Sequence, residues 1–191
     1  MQVIHIFAII EESLLAVQFE SEKSDEFSLI FNKWNDVEYL EEFFEENKAD
    51  LQSGFWGDIT VAEAVFQTID EAEEFERFIK KIAEDGKVNS EVSLQEIVFT
   101  PLSKNNTSIE HLEMKAYGVD YKSWLRIYAV EIASNLYVVS GGAIKLTKIM
   151  NDREHLQKEL RKLKLTVEYL KSIGLYEKED YGFIEIRTYE K

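Results

Sequence analysis

The spacing of apolar and polar positions divides the chain into an early β region, a helical middle and an end that returns to strands before one long helix. Val3–Ile9 and Leu14–Glu20 are rich in β-branched residues and read as strands joined by an acidic turn at Glu11–Glu12. Glu26–Phe31 has similar apolar and aromatic content and is expected as a third strand, with an antiparallel meander as the simplest arrangement. The period then changes. Trp34, Val37, Leu40, Phe43, Phe44 and Leu51 stand three, four or seven apart, which is helical spacing, with Asn35 or Asp36 placed to cap the start. The outward positions of this helix are almost wholly acidic: Glu38, Glu41, Glu42, Glu45 and Glu46.

Two capping-box patterns follow, Thr60-x-x-Glu63 and Thr68-x-x-Glu71, and predict a helical hairpin-like pair over 60–67 and 70–85. Ala72, Phe75, Phe78, Ile79 and Ile82 give the second helix its apolar stripe, and Gly86 ends it. Leu94–Thr100 reads as a strand ending at Pro101, and 103–108 as loop. His111–Tyr117 and Leu125–Ile132 alternate as strands, and Ser134-Asn135 turns the chain into Leu136–Ser140. Gly141-Gly142 implies a bulge or a close backbone approach, after which the strand resumes through Ala143–Leu146. Asn151 or Asp152 is placed to cap a helix to about Ser172, with Leu156, Leu160, Leu163, Val167 and Leu170 as its apolar positions. Residues 181–189 offer an edge strand. The expected class is α+β: an antiparallel sheet with an N-terminal meander, a helix pair and a long C-terminal helix. Residues 1–59 form an acidic strand and helix layer ahead of a core over 60–191, and no linker separates them into independent units.

Charge changes this picture more than composition does. The formal net charge is −15. Residues 1–100 carry 24 Asp/Glu against 7 Lys/Arg, a balance of −17, whereas 101–191 carry 13 against 15, a balance of +2. The segment 145–171 alone holds eight basic and four acidic residues. A field of this overall sign repels phosphates at long range, although salt screens it beyond ~10 Å. A nucleic-acid site must therefore be local and lie in the second half. The chain has no cysteine, which excludes disulfides and thiolate metal sites. Its start lacks the basic region and cleavage site of a signal peptide, and no apolar run nears the ~20 residues that cross a bilayer, so a cytoplasmic location without a membrane partner is expected.

Most familiar chemistries lack their residues. His5, His111 and His155 are far apart and sit in no HxxxH or HExxH pattern; His155 and Glu159 could supply two metal ligands and no more. The acidic helices have neither calcium-loop spacing nor Glu-x-x-His pairs, so a solvated face is the expectation. There is no P-loop and no dinucleotide-binding turn, and no cofactor is expected. What remains is cationic. Lys115, Arg126, Lys145 and Lys148 lie on or just after three successive predicted strands, beside Tyr117, Tyr121, Trp124 and Tyr128. Metal-free RNA cleavage requires deprotonation of the 2′-hydroxyl, stabilisation of a pentavalent phosphate and protonation of the leaving 5′-oxygen. Arg and Lys supply the second, Lys, Tyr or His the others, and stacking on Tyr or Trp supplies orientation. The alternative is that Arg126 and Lys145 pair with neighbouring acids such as Glu131 and Glu113.

At Trp124-Leu-Arg-Ile-Tyr-Ala-Val-Glu-Ile, followed by Leu-Tyr-Val-Val-Ser-Gly-Gly-Ala-Ile-Lys-Leu-Thr-Lys, the chain resembles the RelE/HigB group of type II toxins. That resemblance covers roughly 60–172 in order of elements, with motifs spanning about 25 residues. It implies a metal-independent endoribonuclease, or a degenerate relative of one, with Arg126, Lys145 and Lys115 as catalytic residues. Lys148, Tyr128 and Trp124 would bind substrate. It also implies RNA or the ribosome as target and a cognate antitoxin of helix-turn-helix type as partner. The chain departs from that pattern in three ways. It is longer and acidic, residues 1–59 have no counterpart, and Met150-Asn151-Asp152 stands where a Tyr or His usually follows the basic segment, leaving His155 as a distant substitute. A different class also accommodates the acidic helices: a non-catalytic protein that engages a basic partner or imitates a nucleic-acid surface.

Overall fold

The computed structural model describes residues 1–102, 112–120, 122–149 and 153–189. Strands β1 (Val3–Ile10) and β2 (Leu14–Phe19) form an antiparallel hairpin where β-branched alternation places them. The third segment is a correction. Glu26–Phe31 belongs to helix α1 (Glu26–Trp34), not to a strand. Asp25 caps it by accepting from the Ser28 amide, a contact worth about 1 kcal/mol. Its buried apolar residues, Phe27, Ile30, Phe31 and Trp34, follow the three–four–seven rule, which outweighs their β propensity. Trp34 thus ends one helix, and the next starts behind the Asp36 cap as α2 (Val37–Glu46), with a short α3 (Lys48–Leu51) after it.

The expected helix pair is also corrected. A single 25-residue helix, α4 (Val61–Asp85), runs from the Thr60–Glu63 capping box to the turn before Gly86. Thr68 does not cap a second helix. Its hydroxyl donates to the Ala64 carbonyl one turn back, at 2.7 Å, so the ladder continues through it. Leu94–Thr100 is mostly helical as well: Ser93 caps a short α5 (Leu94–Ile97), and only β3 (Phe99–Pro101) is strand. Strands β4 (Leu112–Tyr117), β5 (Leu125–Ala133) and β6 (Leu136–Ile144) follow as an antiparallel series, and α6 (Glu154–Ser172) closes the order of helices. The expected loop at 103–108, His111, Tyr121 and the candidate caps Asn151 and Asp152 lie outside the described residues. The 181–189 segment makes a 3-10 turn over Lys178–Phe183 and a single parallel bridge, Arg187 to Phe7, rather than an edge strand.

Among the described residues, six strands form one sheet in the order β1-β2-β6-β5-β4-β3, and the fold class is α+β. The meander is not purely antiparallel, because Leu14–Ala16 of β2 run parallel to Tyr137–Val139 of β6. This junction joins the first 59 residues to the rest through interior hydrogen bonds. One sheet face carries Leu125, Ile127, Ala129, Tyr137 and Val139 into a core with α1, α2 and α4. The other face carries Val130 and Val138 against Leu163 and Leu170 of α6. The acidic positions of α2 are exposed on the far side of the first layer, and no helix among the described residues is long and apolar enough to cross a membrane.

Candidate functional site

The register of β4, β5 and β6 brings the predicted cations together. Lys115 stands opposite Tyr128, Tyr117 opposite Arg126, and Arg126 opposite Ala143. Cross-strand partners share a face, so Lys115, Tyr117, Arg126 and Tyr128 lie together, with Lys145 two residues past Ala143. Helix α6 covers this face only up to Leu156, which packs with Tyr128 and Ala143. Beyond that point the side chains of Lys115, Arg126, Lys145 and Lys148 surround a cavity of about 330 Å³ with the two tyrosines. Among the described residues no carboxylate lines it.

Each cation is held differently. The Arg126 guanidinium lies 4.0 Å from the centroid of the Tyr117 ring, and its Nη1 donates to the Ser123 and Leu125 carbonyls at 2.9 and 2.6 Å. Burial draws its pKa below the ordinary arginine value, against the opposing pull of Tyr117, Tyr128 and Glu71. A partly dehydrated guanidinium attracts an arriving anion more strongly than a solvated one. Lys115 Nζ sits 5.6 Å from the same ring and donates to the Leu102 carbonyl at 3.4 Å. Lys145 Nζ donates to the Lys148 carbonyl at 2.7 Å, which ties the turn after β6 around the exposed Lys148.

At Arg126 the alternative pairing is not seen. Glu131 lies on the opposite face from Arg126, and among the described residues neither Glu131 nor Glu113 forms an ion pair with it. Tyr128 is only 1% exposed, and burial pushes its hydroxyl pKa up, so at neutral pH it is a proton donor and not a base.

Two expected participants are elsewhere. Trp124 is 1% exposed and belongs to the helix-side core, where its Nε1 donates to Thr68 Oγ1 at 2.9 Å; it offers no face for a base. A buried indole needs an acceptor, and the mid-helix threonine supplies one. His155 does not join the cations either. Its ring stands edge-on to Phe43 at 5.3 Å, with Nε2 3.1 Å from the Ile144 carbonyl, and it lines a different cavity.

Two groups of residues escaped the sequence pattern. A second cavity of about 320 Å³ shares Arg126, Lys145 and Lys148 with the first and adds Asp50, Phe55 and Trp56. The available signal was the aromatic pair enclosed by glycines, Gly54-Phe55-Trp56-Gly57. The other group is a buried triad. Lys162 Nζ donates to Glu26 Oε2 at 2.6 Å and to Glu159 Oε2 at 2.9 Å, and no local pattern links positions 136 residues apart.

The arrangement can therefore hold an anion against three or four cations beside an aromatic surface. A proton donor is present in Tyr128, whereas no histidine or carboxylate among the described residues lines the first cavity to accept a proton. Among the described residues no group of three His, Asp or Glu is placed to hold a metal ion. The chain matches no family model, no curated protein and no solved structure.

Proposed function

We propose that the protein acts on RNA in the manner of a RelE/HigB-like toxin, or descends from proteins that do, with Arg126, Lys145, Lys115 and Lys148 holding the backbone phosphates. One observation carries this reading: four cations, from two neighbouring strands and the turn that follows a third, converge on one cavity that also contains two tyrosines. A phosphate there would meet the Arg126 fork and the lysine charges, the arrangement that stabilises a pentavalent phosphate if cleavage occurs. Tyr128, kept protonated by burial, is the candidate donor to a leaving oxygen. A helix-turn-helix antitoxin is the corresponding partner, and the cytoplasm is the corresponding location. Induced expression is expected to arrest growth, and combined Arg126→Ala and Lys145→Ala to relieve the arrest at unchanged protein level. Arrest that persists in the double variant would remove the cations from the mechanism.

A second reading rests on Glu38, Glu41, Glu42, Glu45 and Glu46, all exposed on α2. Such a face suits a basic protein partner or imitates a phosphate backbone. Absence of growth arrest, together with capture of a basic protein that is lost on neutralising Glu41, Glu42, Glu45 and Glu46, is the outcome that favours it.

A further inference from the structure

The cations explain one wall of the groove, and Phe55 forms the other. Helix α3 ends at Leu51, and the chain then passes through Gly54 and Gly57 at φ +89 and +85. Nothing lies within 4 Å of where a Cβ would stand at either position, so glycine serves backbone conformation there, not space. The two left-handed residues let the short segment between them send its aromatic rings in different directions.

Trp56 turns inward. Its Nε1 donates to the Leu146 carbonyl at 3.0 Å, and its ring meets Trp124 edge-on at 5.3 Å. Leu146 directly follows Lys145, so this anchor fixes the loop relative to the cations. Phe55 turns outward and is 52% exposed. Its ring stands edge-to-face on Trp56 at 4.8 Å, with Lys122 Nζ 5.3 Å from its centroid and bonded to its carbonyl at 3.4 Å. The loop is tied a second time where Arg153, at the start of α6, grips Asp50 with an Nε–Oδ2 distance of 2.7 Å. An aromatic ring is thus held out to solvent by fixed neighbours, at the rim of a cavity that also contains Arg126, Lys145 and Lys148.

We propose that Phe55 is the platform on which an unpaired base of the bound RNA stacks, so that the groove selects single-stranded RNA over duplex. The inference rests on the groove being the phosphate site, and adds what that site recognises. A duplex hides its base faces in its own stack, whereas an unpaired strand presents them beside its phosphates. A ring next to cations matches that combination, because the phosphate charge and the adjoining base face each meet a complementary surface.

The test is fluorescence anisotropy of the full chain, at one ionic strength, with three labelled probes. They are a 12-nucleotide mixed-sequence single-stranded RNA, the same strand annealed to its complement, and the same strand with its central bases removed. Phe55→Ala is expected to weaken single-strand binding by about tenfold, to leave the other two probes unchanged, and to be rescued by Phe55→Trp. Arg126→Ala with Lys148→Ala is expected to weaken all three. If Phe55→Ala binds every probe as the wild type does, or weakens all three equally, the platform is overturned while the phosphate site stands. If the wild type binds none of them, both readings fall. Phe55 is a rim residue, so an unchanged melting temperature in Phe55→Ala is expected alongside.

Discussion

At Gly141 the backbone of β6 meets α6 so closely that a Cβ would run into Glu159 Oε2, with Lys162 Nζ just behind. Gly141→Ala must therefore push the carboxylate off its lysine or move the helix. We expect a loss of roughly 1–3 kcal/mol of stability, as overpacking of a filled interior typically costs. Gly182→Ala is the control, since its added methyl meets nothing within 4 Å and should fall within about 0.5 kcal/mol of wild type. Urea denaturation of both variants decides the matter; equal midpoints would mean that the Gly141 contact relaxes freely. The glycine pair was legible as a bulge or a close approach; the close approach falls on the pair, while the β5–β6 register skips Ser140 just before it. Which atom approaches was not legible, since Glu159 reaches the site only through tertiary packing. Trp124 shows the converse. Its place beside Arg126 in sequence suggested a shared surface, but it precedes β5, and its indole turns into the opposite layer to reach Thr68.

Helices α1 and α6 lie on different sides of the sheet, yet they meet. Beyond the short parallel pairing of β2 with β6, Glu26 from the first turn of α1 reaches Lys162 of α6, and Glu159 completes the triad. All three are less than a tenth exposed, so two carboxylates share one ammonium away from bulk solvent. Burial raises the Glu26 pKa to about 7, outweighing the lowering by Lys162, and burial likewise raises Glu159. Burial lowers Lys162, but the two carboxylates outweigh it and leave its pKa raised. A carboxyl whose pKa is higher in the folded than in the unfolded chain makes the folded state bind its proton more tightly. Its contribution is complete below the ordinary value of 4.5 and is lost as pH rises to about 7. Glu26→Gln keeps an acceptor for Lys162 and removes the titration of Glu26 itself. Thermal melts between pH 5 and 8 should show wild type falling relative to the variant across that window, with the variant melting higher at pH 8. Parallel curves would place the proton elsewhere. The sequence does not reveal this link, partly because the apolar and aromatic content of Glu26–Phe31 also fits a strand. The helical pattern of α1 ends on Trp34, which the spacing also assigns to the following helix. Elements with strong local signals, such as the Thr60–Glu63 cap and the stripe of α6, were legible, whereas the unity of α4 depends on what Thr68 bonds.

Across the whole molecule the charge contrast becomes a spatial one. The acidic face of α2 lies beyond the helix layer, on the other side of the sheet from Arg126, so it does not cover the cations. Among the described residues, the stretch from Asp50 to Trp56 brings the front of the chain to the groove, and it contributes an aromatic rim there. The division near residue 59 runs between parts that share one sheet. Strand β2 is interior, flanked by β1 and β6, and Leu14, Leu15, Ala16 and Val17 are fully buried on both of its faces. A fragment of residues 60–191 would expose the edge of β6 and leave the buried Lys162 without Glu26. It would also strip the sheet of Phe27, Phe31, Leu40 and Phe44 from the helix-side core. Each buried aromatic or leucine removed from such a core costs on the order of 2–5 kcal/mol, against a total stability of about 5–15 kcal/mol for a domain. The fragment should therefore fail to fold cooperatively, with a shallow, featureless urea transition by far-ultraviolet circular dichroism and a tendency to associate through the bare strand. A sharp two-state transition in the fragment would restore the division into a core and an added layer. Without it, loss of RNA binding on deletion would report unfolding, and the role of the front half must be tested by Phe55→Ala in the intact chain.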